Sequence, residues 1–232
     1  HPEGTFIRNA MKEKTFYGDP IFQAQEWYNI FDKNDKKIIN NLNENFEKKI
    51  DFIFEKTILL KKKLLIRDWS FVDYFGKPFL NPTYKNSLLN LLVKKYKVLN
   101  FYIIRHPLEL YISCIKSLSF FKGNYNFDFY INGYKNFFLE AKKNNIFKYE
   151  DFVLEPEKNL KKMCGVLNIN FDKNYIKNLK NISLTGDISA IKSLKIYKKD
   201  NIAQSLISKE NKDKIYKDKN YINLMQNLNN YY

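Results

Sequence analysis

The sequence predicts an α/β domain three layers deep, with a central parallel sheet of about five strands covered by helices on both faces. Three observations predict it. The run 98–104 is apolar and partly β-branched and stops at Arg105-His106-Pro107, where the proline can open a helix at its first position. Residues 146–149 read as a second short strand, and Glu155-Pro156 then starts a helix that closes near Leu167. The run 64–66 ends at Arg67-Asp68 like a short buried strand. Strands that alternate with helices give parallel pairing, because each return to the same sheet edge needs a crossover.

The remaining elements follow in order. Residues 5–14 and 36–55 have helical spacing, 84–96 reads as a helix, and the helix opened by Pro107 continues to about Phe121. A second helix covers 127–143, and the Lys/Asn-rich tail from Asn201 forms a terminal helix. No repeat of 20 to 50 residues occurs. With 7 Gly and 6 Pro spread over 232 residues and no Pro/Gly/Ser-rich linker, one domain over 1–232 is predicted. The chain opens on His1 rather than Met, which predicts that it was cut from something longer and is truncated at its N-terminus.

Composition excludes several classes. Hydrophobic residues make up 44%, including 20 Phe and 17 Tyr, far more than a disordered chain of this charge carries. No stretch approaches the roughly 20 apolar residues that cross a bilayer, and no basic-then-apolar leader opens the chain. Cys114 and Cys164 stand apart without a CxxC or Cys/His cluster, so neither a disulfide framework nor a zinc site is predicted; reduced thiols fit a cytoplasmic location. The net charge of +15 predicts attraction to polyanions: nucleic acid, phosphorylated nucleotides or anionic lipid. Lysine is scattered through almost every segment, whereas arginine occurs only at Arg8, Arg67 and Arg105. In such a chain an arginine marks a position where a planar fork suits phosphate, sulfate or carboxylate.

Two segments carry candidate chemistry. In the opening His1-Pro2-Glu3-Gly4-Thr5-Phe6-Ile7-Arg8, Gly4 and Thr5 stand at a helix start, where free N–H groups suit an anion or where Thr5 serves as a simple N-cap. Arg105 stands at the carboxyl end of a strand and Ser113 on the next helix. They either hold a phosphate at the edge where open α/β sheets bind ligands, or cap the sheet and face solvent. His106 reads as a turn residue, and 147–152 as strand followed by an acidic turn.

The string "IIRHPLELYISCIKS", followed by "KYEDFVLEPEKNLKKMCGVLNINFD" some 30 residues later, resembles the core of the sulfotransferases that use 3′-phosphoadenosine 5′-phosphosulfate (PAPS). The segment "LLIRDWSFVDYFGKPF" resembles a block upstream of this core in some bacterial-type members. "HPEGTFIRNAM" is similar to the family's 5′-phosphosulfate loop and "LTGDISAIKSLKIYKK" to its C-terminal nucleotide-contacting region. The resemblance implies an architecture related to the P-loop nucleotide kinases and transfer of a sulfuryl group from PAPS to an acceptor hydroxyl or amine, with no metal. It implies that Arg105 and Ser113 grip the 3′-phosphate, that Tyr149 lies near the adenine, and that Gly4 and Thr5 cradle the 5′-phosphosulfate.

Departures from the pattern fall at the first loop, where only Glu3 separates Pro2 from Gly4 and Phe6 replaces a threonine. Arg8, one turn on, then takes the place of the missing cation. Trp69 stands where some members carry a histidine base; Asp68, at the carboxyl end of the 64–66 strand beside Arg67, is either the base or the partner of a neighbouring Lys or Arg in a salt bridge, and Asp73 is the next candidate base. Two other classes fit the charge and the altered loop: a basic nucleic-acid-binding module, for which no RNP-like or KH-like signature is present, and a catalytically inactive sulfotransferase-like domain.

Overall fold

The computed structural model describes residues 19–42, 45–69, 71–76, 81–117, 126–178 and 209–232. The chain divides into two compact units, His1–Tyr96 and Lys97–Tyr232.

In the first unit, α1 (Pro20–Tyr28) starts where the sequence supplies both start signals, Asp19 at the N-cap and Pro20 at the first position. The Asp19 carboxylate accepts from the Ile21 and Phe22 N–H groups and from the Lys49 ammonium at 2.6 Å. Lys49 belongs to α3 (Phe46–Leu59), so one carboxylate caps α1 and ties α3 to it. Ile21, Ala24, Phe52 and Ile53 form the core between these helices, joined by Phe31 and Leu64. Predicted as one helix, 36–55 is instead α2 (Asp35–Asn41) and α3. The break has a local cause: the Asn45 side chain accepts from the Lys48 N–H, which caps a new helix instead of continuing the old one.

Helix α3 ends in a left-handed cap. Lys61 has φ 52°, its N–H donates to the Ile58 carbonyl, and the Lys62 N–H reaches back to the Thr57 carbonyl at 2.7 Å. The chain then runs through 62–69 as neither helix nor strand. Leu64 packs on the core, but 64–66 pairs with no strand among the described residues, contrary to expectation. Helix α4 (Phe71–Tyr74) is buried throughout, and Trp69, Phe71 and Phe75 stack in series at 5.3 and 4.9 Å. Helix α5 (Ser87–Leu92) replaces the longer helix expected over 84–96.

In the second unit, β1 (Phe101–Ile104) and β2 (Asn145–Lys148) pair in parallel, with Phe101 opposite Asn145 and Ile104 opposite Lys148. Between them run α6 (Pro107–Ser117) and α7 (Phe127–Ala141), both begun close to where the sequence places them. After β2 come α8 (Tyr149–Leu154), α9 (Pro156–Val166) and α10 (Tyr175–Asn178). The predicted acidic turn at 150–151 is the first turn of α8. Asn159 donates to the Asp151 and Glu155 carbonyls, which joins α8 to α9. The tail holds α11 (Lys209–Lys217) and α12 (Lys219–Leu228), whose buried Tyr221, Leu224 and Leu228 face the core, with α12 packed on α7.

These elements overturn the predicted three-layer architecture and its kinship to the P-loop nucleotide kinases. Among the described residues the chain is 62% helix and 5% strand, and the only sheet is the β1–β2 pair. The physical reason is that an apolar run of three or four residues satisfies a strand, an extended linker and a buried helix turn equally well, and only a pairing partner makes it a strand. Residues 64–66 have none among the described residues, and 71–75 bury their apolar side chains as a helix turn.

Candidate functional site

The parallel register builds the site. Because Ile104 and Lys148 are opposite one another, the next residue on each strand, Arg105 and Tyr149, leaves the same carboxyl edge side by side. The Arg105 guanidinium lies over the Tyr149 ring, 4.8 Å from its centroid. Tyr149 is 37% exposed, so the stack is open to a ligand. With one face on the ring, the guanidinium keeps its in-plane N–H groups for an anion, and the pairing fixes its plane.

Two buried tyrosines on α7 hold the backbone at this turn. Tyr134 donates its hydroxyl to the Arg105 carbonyl at 2.5 Å, and Tyr130 donates to the Pro107 carbonyl at 2.8 Å. Both are fully buried. Burial raises each hydroxyl far above the usual tyrosine range, which keeps it protonated as a donor.

Glu150 clamps the other side of the turn. Its Oε1 accepts from the His106 N–H at 2.9 Å and its Oε2 from the Tyr232 hydroxyl at 3.1 Å. The Tyr232 ring meets the His106 imidazole edge to face at 5.5 Å, and the Lys148 ammonium lies over the same tyrosine ring. The His106 Nδ1 is shielded from solvent and has no hydrogen-bond partner among the described residues. Burial pushes this imidazole below its ordinary value, Glu109 and Glu150 pull it back up, and the charge on Arg105 pushes it down. Neutral His106 is therefore part of the wall, in keeping with its expected place at a turn. Burial pushes the Cys114 thiol on α6 up to about 11, against the pull of Arg105, and so favours the protonated thiol.

Of the sequence-predicted residues, Arg105 and Tyr149 are brought together. Ser113 is half-buried on α6, and no hydrogen bond joins its hydroxyl to Arg105. Arg67 and Asp68 belong to the first unit and lie on the 62–69 segment, where Arg67 is exposed and both Asp68 carboxylate oxygens are shielded from solvent. Gly4, Thr5 and Arg8 lie outside the described residues, as does 184–199. Asp73, the second candidate base, is 1% exposed and accepts the Ser87 N–H at 2.8 Å and the Ser87 hydroxyl at 2.6 Å. It anchors the start of α5. Tyr134, Glu150 and Tyr232 were not singled out by sequence. Glu150 stood inside the Tyr-Glu-Asp string, whereas Tyr232 is 82 residues from its partner and gave no local signal.

No family model, no curated protein and no solved structure matches this chain. No helix among the described residues is long and apolar enough to cross a membrane.

Proposed function

We propose that this protein is a sulfotransferase that moves the sulfuryl group of PAPS to an acceptor hydroxyl or amine. The observation that carries the proposal is the Arg105–Tyr149 stack at the carboxyl edge of β1 and β2. These two residues, 44 apart in sequence, are the ones to which the resemblance gives the 3′-phosphate and the adenine. Their adjacency supports the resemblance independently of the strings that suggested it, because string similarity does not require contact. The proposal rests on this local strand–turn–helix pair and not on a larger sheet.

In the reaction a base takes the proton of the acceptor as its oxygen or nitrogen attacks sulfur, and the S–O bond to the phosphate breaks in line. The products are the sulfated acceptor and adenosine 3′,5′-bisphosphate (PAP). Arg105 holds the nucleotide by its 3′-phosphate, with Ser113 on the adjoining helix, and Tyr149 offers its ring to the adenine. The sequence offers Asp68 as the base, with Arg67 beside it for the charge that develops on the leaving oxygen, and Gly4, Thr5 and Arg8 for the 5′-phosphosulfate.

The test is selective stabilisation. A ligand that binds only the folded state at 100-fold excess over Kd adds about 2.7 kcal/mol, which for a chain of this size raises the melting temperature by roughly 5–10 °C. PAP gives this shift and AMP, which lacks the 3′-phosphate, gives much less. Tight binding of a short single-stranded RNA at physiological salt, with indifference to PAP, overturns the proposal in favour of a nucleic-acid module.

A further inference from the structure

We propose that the knuckle at the end of α3 docks this protein on an anionic lipid surface. The stretch Ile58-Leu59-Leu60-Lys61-Lys62-Lys63-Leu64-Leu65 places four large aliphatic side chains in solvent: Ile58 at 57%, Leu59 at 74%, Leu60 at 45% and Leu65 at 67% exposure. Lysines 61, 62 and 63 between them are exposed as well. A folded chain gains from burying such groups, so an aliphatic cluster left out at one point needs a partner.

The knuckle is held in place, so its exposure is a property of the fold. The Lys61 and Lys62 N–H groups close the helix end on the Ile58 and Thr57 carbonyls, and Leu64 is pinned in the core with Phe52 and Ile53. Beside the anchored Leu64, Leu65 is turned outward at 67% exposure. Leu65 follows Lys62 by three residues, which keeps it within about 10 Å of the helix end.

The alternation of charge and aliphatic residues selects the occupant. Protein interfaces deplete lysine from their apolar centres, and here the lysines sit at the centre with aliphatic residues on both sides. A bilayer interface accommodates both kinds of group. Leucines enter the acyl boundary while lysine stems lie along it and their ammonium groups meet anionic headgroups. The net charge of +15 complements the same surface. This docking is independent of the nucleotide proposal, since it uses none of the residues placed there.

The test is co-sedimentation of the full chain with vesicles of phosphatidylcholine alone and with about a quarter phosphatidylglycerol. The protein binds the anionic vesicles and leaves the neutral ones. The Leu59→Ser/Leu65→Ser variant loses at least about tenfold in partition at unchanged melting temperature, since both side chains are already in water. Lys61→Gln and Lys62→Gln each lose about fivefold, whereas Lys142→Gln, exposed on the other unit, changes binding by about twofold or less. Equal binding by the leucine variant, or no preference for anionic vesicles, overturns the proposal. So does a dimer in sedimentation equilibrium that Leu59→Ser dissociates, which makes the occupant a second copy of the chain.

Discussion

The Tyr134 hydroxyl donates to the Arg105 carbonyl at 2.5 Å, so the backbone of the arginine that faces the ligand edge is set by a fully buried side chain on α7. Tyr134→Phe keeps the ring and removes the donor. It lowers unfolding free energy by about 1–3 kcal/mol, the cost of a carbonyl left without its partner. Urea denaturation measures this, and an unchanged midpoint means the carbonyl finds another donor.

Lys61 holds a left-handed conformation, at φ 52°, that costs a side-chain-bearing residue about 1–2 kcal/mol and glycine nothing. Lys61→Gly therefore stabilises the protein by about 0.5–1 kcal/mol, the strain relieved less the greater freedom of glycine in the unfolded chain. A lower urea midpoint for the variant contradicts the cap geometry.

His106 makes stability depend on pH. Burial depresses its imidazole, opposed by Glu109 and Glu150 and aided by Arg105, so the unfolded chain takes up the proton near pH 6.5 while the folded one does so only at lower pH. The unfolded state then binds more protons, and the contribution to stability, complete above about pH 6.5, falls as pH drops toward the folded value. His106→Gln removes this component, so its urea midpoint falls less than that of the parent between about pH 7.5 and about pH 5.5. Parallel slopes contradict the assignment.

The second unit is the more legible half of the sequence because its signals are local. Pro107 and Pro156 mark helix starts, and the apolar run that ends at Arg105 marks a strand end. That the expected five-stranded sheet shrinks to the β1–β2 pair among the described residues is not legible, because strand pairing is non-local and 64–66 looks the same whether or not a partner waits for it. Asp19-Pro20 is a start signal for α1 that the periodicity reading passed over, since α1 offers only three buried residues to reveal a face. At the site, Arg105 and Tyr149 were legible as residue types at strand ends. What positions them, the hydroxyls of Tyr130 and Tyr134 and the Glu150–Tyr232 clamp, depends on packing between distant segments.

On the proposed mechanism Asp68→Asn keeps size and hydrogen-bonding reach but cannot take a proton. Turnover, followed as PAP release from PAPS in the presence of an acceptor hydroxyl, falls by about 100-fold or more at unchanged PAP affinity. Turnover within a few-fold of the parent places the base elsewhere.

The pairing of Arg105 with Tyr149 is tested most directly by calorimetric titration of PAP into the parent protein, Arg105→Lys and Lys116→Ala. Replacing the planar fork by a point charge removes both the stack and the bidentate geometry, so Arg105→Lys weakens PAP binding by about 1.5–3 kcal/mol. Lys116→Ala, which removes an exposed cation from the end of α6, changes it by less than about 0.5 kcal/mol. Equal effects of the two substitutions, or full PAP affinity in Arg105→Lys, would remove the arginine from the nucleotide site and with it the observation on which the sulfotransferase proposal stands.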